Sequence, residues 1–495
     1  MMTIPPKASA TLTQKAHDSI ILSLPLLIIL IAGLIITEGN LTYTLDDPYI
    51  HLALARQIAD GHYGLQAGAY AAPSSSIIWP FLLAPFSHFS WFEQAPLIIN
   101  TASCLLTLSY IRAILEKTLE TEIRLWHLLT IGLVANIYGL VFTGMEHNLQ
   151  ILLTCMTLYY VIMKPTSLWL ALTIAIMPLI RYESLAISLP LGAYLTLRTN
   201  KWYLPAIAMA ASLAAIIAFS LFLKSIGLEA LPSSIMAKAG TGTWTGVLEN
   251  ISKNIHAHYL LPVIIGAGIA FHARRDRWLG ISLMASAIAF YTLGKSGWYG
   301  RYETFFVIYA GLLCSPIFSL VSSPALRLFR FLYIFLLTCQ TLFICTLTTP
   351  LASKNINDQQ ATMAKLAKWL AEPVAVNDLG LVALRSDQHV LDLWGLGSIE
   401  ALRAQRSGLP PDWICDLMEK ENVRVAMVYS HWFPEKPSCW SPVATLHTPG
   451  RRITAAGMSV SIYTTQPEAI PGLKRQLQAF SLANPKAGAM LDHEK

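Results

Sequence analysis

Apolar residues in this chain come in long blocks divided by short polar breaks, unlike the one-faced stripes of a water-soluble fold. The blocks lie near residues 18–38, 95–115, 126–143, 147–163, 167–180, 183–197, 203–225, 258–272, 278–294, 303–321 and 330–349. A straight helical span needs about 20 apolar residues, so the pattern predicts a polytopic α-helical membrane protein with about eleven transmembrane helices, several of them short. A further run, SSSIIWPFLLAPF at 74–86, is too short and too proline-rich to span. It is read as a half-helix at the interface or re-entering from one side.

Beyond residue 350 the pattern changes. VAVND (374–378) and HVLDLWG (389–395) read as buried strands, and WICDLMEKENV followed by RVAMVYS reads as a helix feeding a strand. This predicts a small C-terminal α/β domain with a polar tail after about residue 470. The expected division is 1–349, with outer loops 39–94 and 226–257, and 350–495.

Charge fixes the expected orientation. Only 13% of residues are charged while 54% are hydrophobic, against about 25% charged in an ordinary soluble chain. The net charge of +6 sits mostly at the ends of apolar blocks, as topology signals and headgroup contacts do. No basic patch is interleaved with aromatics, which argues against nucleic acid. With the N-terminus in the cytoplasm, eleven spans put Arg112, Lys117, Arg124, Lys164, Arg198, Lys201, Arg274, Arg275, Arg277, Arg327 and Arg330 inside. Every chemically suggestive segment then falls on the opposite face: loop 39–94, the GMEHN and RYE turns, loop 226–257, GKSGWYGRY (294–302) and everything after 350. Five cysteines lie in apolar blocks and read as small hydrophobes. Cys415 and Cys439 lie in the polar C-terminal region and form a disulfide if that region is extracytoplasmic.

The candidate chemistry starts with LDDPYIHLALARQIADGHYG (45–64). Pro48 suits the first helical position, Asp47 the N-cap and Gly61 the C-terminal stop. Ile50, Leu54 and Ile58 recur at helical spacing, predicting an amphipathic helix lying against the bilayer. Asp47 then has a capping duty. Asp46 has none and lies by the positive end of the helix dipole, which favours its carboxylate. An ionised acid there suits a general base, with Asp46 ahead of Asp47 and His51 one turn on to orient them. A leaving phosphate needs cations on the same face, and Lys238, Lys295, Arg301 and Arg181 qualify. Singly, each reads equally as a snorkelling anchor. Glu146 and Glu183 end apolar blocks as substrate-positioning acids or helix caps. Tyr299 in GKSGWYGRY joins the substrate-binding candidates. Asp378 and Asp392 end or follow strands and read as turn residues. No zinc spacing occurs, and two adjacent carboxylates leave a divalent cation (Mg or Mn) open.

The acidic pair after the first span and the helix behind it resemble the GT-C superfamily of membrane glycosyltransferases. Together with PSSSIIWP, GMEHN, LIRYES, PSSIMAKAG and GRYE, in that order, they are similar to its bacterial arabinofuranosyltransferase-like branch. The resemblance covers about residues 40–310, and more loosely VAVNDLG…VLDLWGLG. It implies a GT-C fold in the bacterial inner membrane with a cavity facing the periplasm. It also implies a polyprenyl-phosphate sugar donor, with a pentofuranose such as arabinofuranose as one candidate sugar, and an acceptor that is a cell-envelope glycan, lipid or protein. No cofactor is required, and the base is the first acid of the pair, Asp46. RYES stands where the branch has Arg-Pro-Glu-Gly, and His147 where it has a small hydroxyl. The competing reading, a transporter or flippase of a lipid-linked sugar, calls for internal symmetry and ionisable residues in mid-span. A third, a membrane-anchored binding protein, leaves the acids and cations without a role.

Overall fold

The computed structural model describes residues 12–238, 252, 277–320 and 323–493. The block at 258–272 and most of the basic cluster at 274–277 lie outside the described residues. Among these residues three helices are long and apolar enough to cross a membrane: Ala16–Ile36, Phe92–Leu119 and Tyr203–Ser225. A fourth candidate is the bent pair Pro324–Thr338 and Gln340–Leu370, which turns by 67°. Five shorter apolar helices accompany them: Leu125–Val134, His147–Met163, Leu168–Ile180, Trp278–Leu293 and Thr304–Cys314. The chain is therefore a multi-pass helical membrane protein, and helix length alone does not yield eleven full spans.

Some of the shortfall has a local cause. The block 126–143 is two helices, Leu125–Val134 and Ile137–Val141, broken at Asn136, whose φ is 59°. The Asn136 side chain donates to the Tyr299 carbonyl at 3.0 Å and accepts from Thr346 Oγ1 at 3.0 Å. Side-chain bonding of this kind replaces the helix ladder at the break. The run at 74–86 is a short helix, Trp79–Leu83, and a 3-10 turn, Ala84–Phe86. Ser76 Oγ accepts from the Trp79 N–H at 3.0 Å, and the N–H groups of Ile77 and Ile78 donate to the Leu179 carbonyl.

The C-terminal region holds a six-stranded sheet of β1 (Val374–Val376), β2 (Val390–Asp392), β3 (Val425–Val428), β4 (Ser441–His447), β5 (Ser459–Thr464) and β6 (Leu491–His493). Their order is β2-β1-β3-β5-β4-β6, with β1 parallel to β2 and β3 and the other pairs antiparallel. All three strands expected from the sequence are present, and the helix Trp413–Lys420 precedes β3 as expected. The tail after 470 is not a loose polar segment. It forms the helix Ile470–Ala483, burying Leu473, Leu477 and Phe480 at helical spacing, and then β6. Cys415 and Cys439 are bonded to each other.

The expected boundary at 349/350 falls inside the helix Gln340–Asp358. The core beneath the sheet is also shared. Tyr49, Leu52, Leu54 and Trp79 belong to one buried cluster with Leu366, Val376, Val382 and Met427. The helix Asp47–Ala59 is thus not a surface helix on the bilayer, because Pro48 through Ala55 are all buried inside the protein. Its apolar residues on several faces, Tyr49 and Leu52 as well as Ile50 and Leu54, fit burial on all sides. Gln66 from the same loop takes the edge of β2, donating to the Val390 carbonyl at 3.3 Å and accepting from its N–H at 3.2 Å.

Candidate active site

A cavity of about 340 Å³ opens between the loop-1 helix start and the sheet. Asp46, Asp47, Lys295, Trp298, Arg301 and Tyr302 line it together with Asn377, Asp378, Trp394 and Trp432 from the sheet region. A smaller pocket adjoins it, sharing Asp47, Arg301 and Tyr302 and adding His51, Ser75, Arg181 and Ser234.

The helix starts one residue earlier than expected, which moves both acids one position along its cap. The helix begins at Asp47, and Asp46 is its N-cap residue without capping the helix through its side chain. The Asp46 carboxylate instead reaches the start of another helix, Gly380–Arg385. It accepts from the N–H of Gly380 at 2.5 Å and of Leu381 at 2.9 Å. Position 380 must be glycine, because a Cβ there would stand 2.2 Å from the Asp46 carbonyl oxygen and 2.8 Å from its carboxylate.

Asp46 is 5% exposed. Burial, and then the neighbouring Asp378 carboxylate, push its carboxyl well above the usual range, although two backbone N–H groups oppose them. Burial also raises Asp378, the acid beside it. Two raised acids side by side favour one proton between them. Asp378, in the bend after β1, accepts from Gln360 Nε2 at 2.7 Å and Tyr429 Oη at 3.0 Å, so its side chain also belongs to this network. The expected dipole-favoured, freely ionised Asp46 is corrected accordingly: desolvation outweighs a dipole effect of about 1 kcal/mol.

Asp47 faces the cavity. Its Oδ2 lies 2.5 Å from Arg301 Nη1, and the Asp47 side chain is 29% exposed where Arg301 is 3% exposed. The Arg301 guanidinium carbon sits 4.8 Å from the Tyr302 ring centroid and that of Arg181 5.3 Å from it. Arg181 is held by two acids: Nη1 donates to Glu146 Oε1 at 2.6 Å, and Nε and Nη2 donate to Glu183 at 3.1 and 2.7 Å. Glu146 and Glu183 are therefore ion-pair partners; Glu146 holds an N-cap position yet makes no capping bond through its side chain. His51 Nε2 stands 3.7 Å from Glu146 Oε2, beside this cluster. Ser75 Oγ accepts from Arg181 at 3.3 Å, and the buried Ser234 Oγ has no hydrogen-bond partner among the described residues.

Lys295 lines the cavity. The helix Ser233–Lys238 ends at Lys238, whose side chain lies outside the described residues. Tyr299 does not line the cavity; its hydroxyl donates to the Cys345 carbonyl at 2.6 Å and lies 2.8 Å from Thr349 Oγ1. Asp392 plays the expected turn role, accepting from the N–H of Trp394 at 2.8 Å and of Gly397 at 2.7 Å, while burial pushes its carboxyl up to about 6. Among the described residues no three His, Cys, Asp or Glu side chains are grouped to hold a metal ion.

Sequence reasoning missed Asn377, Trp394, Trp432, Ser75 and Ser234 as parts of the site. VAVND, HVLDLWG, PSSSIIWP and PSSIMAKAG carry four of them and Trp432 lies just past RVAMVYS, but nothing local joins these segments.

Residues 354–463 match the profile of a domain of unknown function (DUF8728). No curated protein matches the sequence. Among solved structures, this chain is similar to the crystal structure of ArnT from Cupriavidus metallidurans bound to undecaprenyl phosphate. The TM-score is 0.49 and the identity 11%, over 92% of this chain and 99% of that one.

Proposed function

We propose that the chain is a GT-C-type glycosyltransferase that moves a sugar from a polyprenyl-phosphate donor to a hydroxyl outside the cytoplasm. One observation carries the reading: an acid and a buried cation, Asp47 and Arg301, oppose each other on the wall of a cavity large enough for sugar. The ordered motifs of the first 310 residues support it. The Cys415–Cys439 bond supports an oxidising compartment for the C-terminal part.

The chemistry needs a base and an anion site. The acceptor hydroxyl attacks the anomeric carbon, the carbon–oxygen bond to phosphate breaks, and polyprenyl phosphate leaves with the bonding electrons. Asp47 takes the hydroxyl proton. Arg301 neutralises the phosphate, with Lys295 on the same wall and the Ser234 hydroxyl nearby. In the resting site Arg301 is engaged by Asp47. A phosphate that draws Arg301 away releases the Asp47 carboxylate, so donor binding itself prepares the base. Asp46 is a positioning residue that fixes Asp47 against the C-terminal part. Arg181, neutralised by two glutamates, shapes the pocket more than it binds phosphate.

The test uses proteoliposomes loaded with a radiolabelled polyprenyl-phosphate sugar and a membrane extract as acceptor. Transfer predicts free polyprenyl phosphate and labelled acceptor. Label crossing the bilayer with the donor intact would instead establish the flippase.

A further inference from the structure

We propose that the sheet side of the cavity is a saccharide-binding subsite built from Asn377, Trp394 and Trp432, and that the acceptor is therefore a glycan. This rests on the transferase reading and names its second substrate. Lipid and protein acceptors are the alternatives it excludes.

The first observation is an unanswered donor. Asn377 is 3% exposed, lines the cavity, and accepts the Tyr429 N–H on Oδ1 at 2.9 Å. Its Nδ2 has no partner among the described residues. A buried amide hydrogen without an acceptor is costly, and a sugar hydroxyl oxygen in the cavity supplies one.

The second is aromatic. Trp394 and Trp432 line the same cavity, both half-buried, with ring centroids 4.4 Å apart and planes at 48°. A tilted pair of indoles bordering a polar cavity offers apolar faces beside hydrogen-bonding groups. A sugar ring matches that, with C–H groups on its face and hydroxyls at its edge. An acyl chain would leave Asn377 and the carboxylates unanswered. Asp392 holds the platform in place by accepting the Trp394 N–H at 2.8 Å.

The third is another indole in the same cavity. Trp298, 51% exposed, also lines the cavity from a turn in which Gly297, Trp298, Tyr299 and Gly300 all have positive φ (88°, 46°, 72° and 71°). Two consecutive non-glycine residues in that region are strained, and the turn is held by Tyr299 and by Gly297 donating to Glu303 at 3.1 Å. Such strain is kept where a side chain must be aimed. The proposed donor phosphate site is Arg301, in the turn before the helix Thr304–Cys314, whereas both tryptophans come from the C-terminal sheet region, so the ring on them is assigned to the acceptor.

The full chain is purified in a detergent without a sugar headgroup. Saturation-transfer NMR then follows a panel of methyl glycosides of glucose, galactose, mannose and arabinose, and polyprenyl phosphate is titrated separately. At least one glycoside is expected to bind through its C–H face. Trp394→Ala and Trp432→Ala each weaken it by about tenfold while polyprenyl phosphate binding holds. Arg301→Gln does the reverse. Melting curves establish that each variant is folded, and either tryptophan variant suffices. If no glycoside binds while polyprenyl phosphate does, the subsite is wrong and the transferase reading stands. Glycoside binding without polyprenyl phosphate binding upholds the subsite and overturns the transferase. Glycoside binding lost in Arg301→Gln alone would put the sugar at the donor end and overturn the acceptor assignment.

Discussion

Arg301 Nη1 lies 2.5 Å from Asp47 Oδ2, and both side chains border the cavity. Asp47→Asn removes the base and should lower sugar transfer by about 10²–10⁴-fold. It also leaves Arg301 buried without its anion, a loss of about 3–5 kcal/mol. Adding Arg301→Gln should recover the melting temperature but not turnover. Recovery of turnover in the double variant would remove both residues from the chemistry.

The Asp46–Asp378 pair makes stability depend on pH in a direction unusual for carboxylates. Both folded-state values are raised, chiefly by burial. The folded chain therefore keeps a proton that the unfolded chain releases near the ordinary carboxylate value. That contribution is complete below the unfolded value and is lost as pH rises through the folded one. In Asp46→Asn the amide replaces the shared proton, and the melting temperature should vary less with pH above the usual carboxylate range. An unchanged slope would show that the two acids do not share a proton.

Arg181 is held by Glu146 and Glu183. Glu146→Gln leaves Arg181 its two bonds to Glu183 and should destabilise the protein by about 1–3 kcal/mol, the loss of one charged hydrogen bond. Donor KM in Arg181→Lys should move less than melting temperature does. A large rise in KM with no change in melting would make Arg181 a phosphate ligand after all.

The Cys415–Cys439 bond closes a loop across a separation of 24 residues. Replacing both by serine should cost about 3 kcal/mol. The check is thermal melting with and without reductant, where only the wild type should respond. Equal melting of wild type and variant would show that the loop is held without the bond.

The features legible in the sequence are those with local signals. Apolar blocks mark the membrane helices, and VAVND, HVLDLWG and RVAMVYS mark strands that form where the pattern puts them. The helix Ile470–Ala483 also had its signal in Leu473, Leu477 and Phe480, masked by Lys474, Arg475, Gln476 and Gln478 between them. The contact of Asp46 with Gly380 has no such signal, because it joins residues far apart in the chain through one carboxylate and one missing Cβ. Lacking it, a buried core helix reads as a bilayer-surface helix, and the burial of the Asp46 carboxylate against Gly380 goes unread. The same long-range closure brings Asn377, Trp394 and Trp432 to the motif-bearing loops.

The most direct test is release of polyprenyl phosphate from a mixed pool of lipid-phosphate sugars, in membranes carrying wild type, Asp47→Asn or Asp46→Asn at equal folded amounts. Wild type should release it. Asp47→Asn should fail, and Asp46→Asn should retain measurable turnover, because Asp46 positions its neighbour and does not take the proton. Failure of Asp46→Asn alone, with Asp47→Asn active, would return the base to the first acid. No release by folded wild type would contradict the transferase.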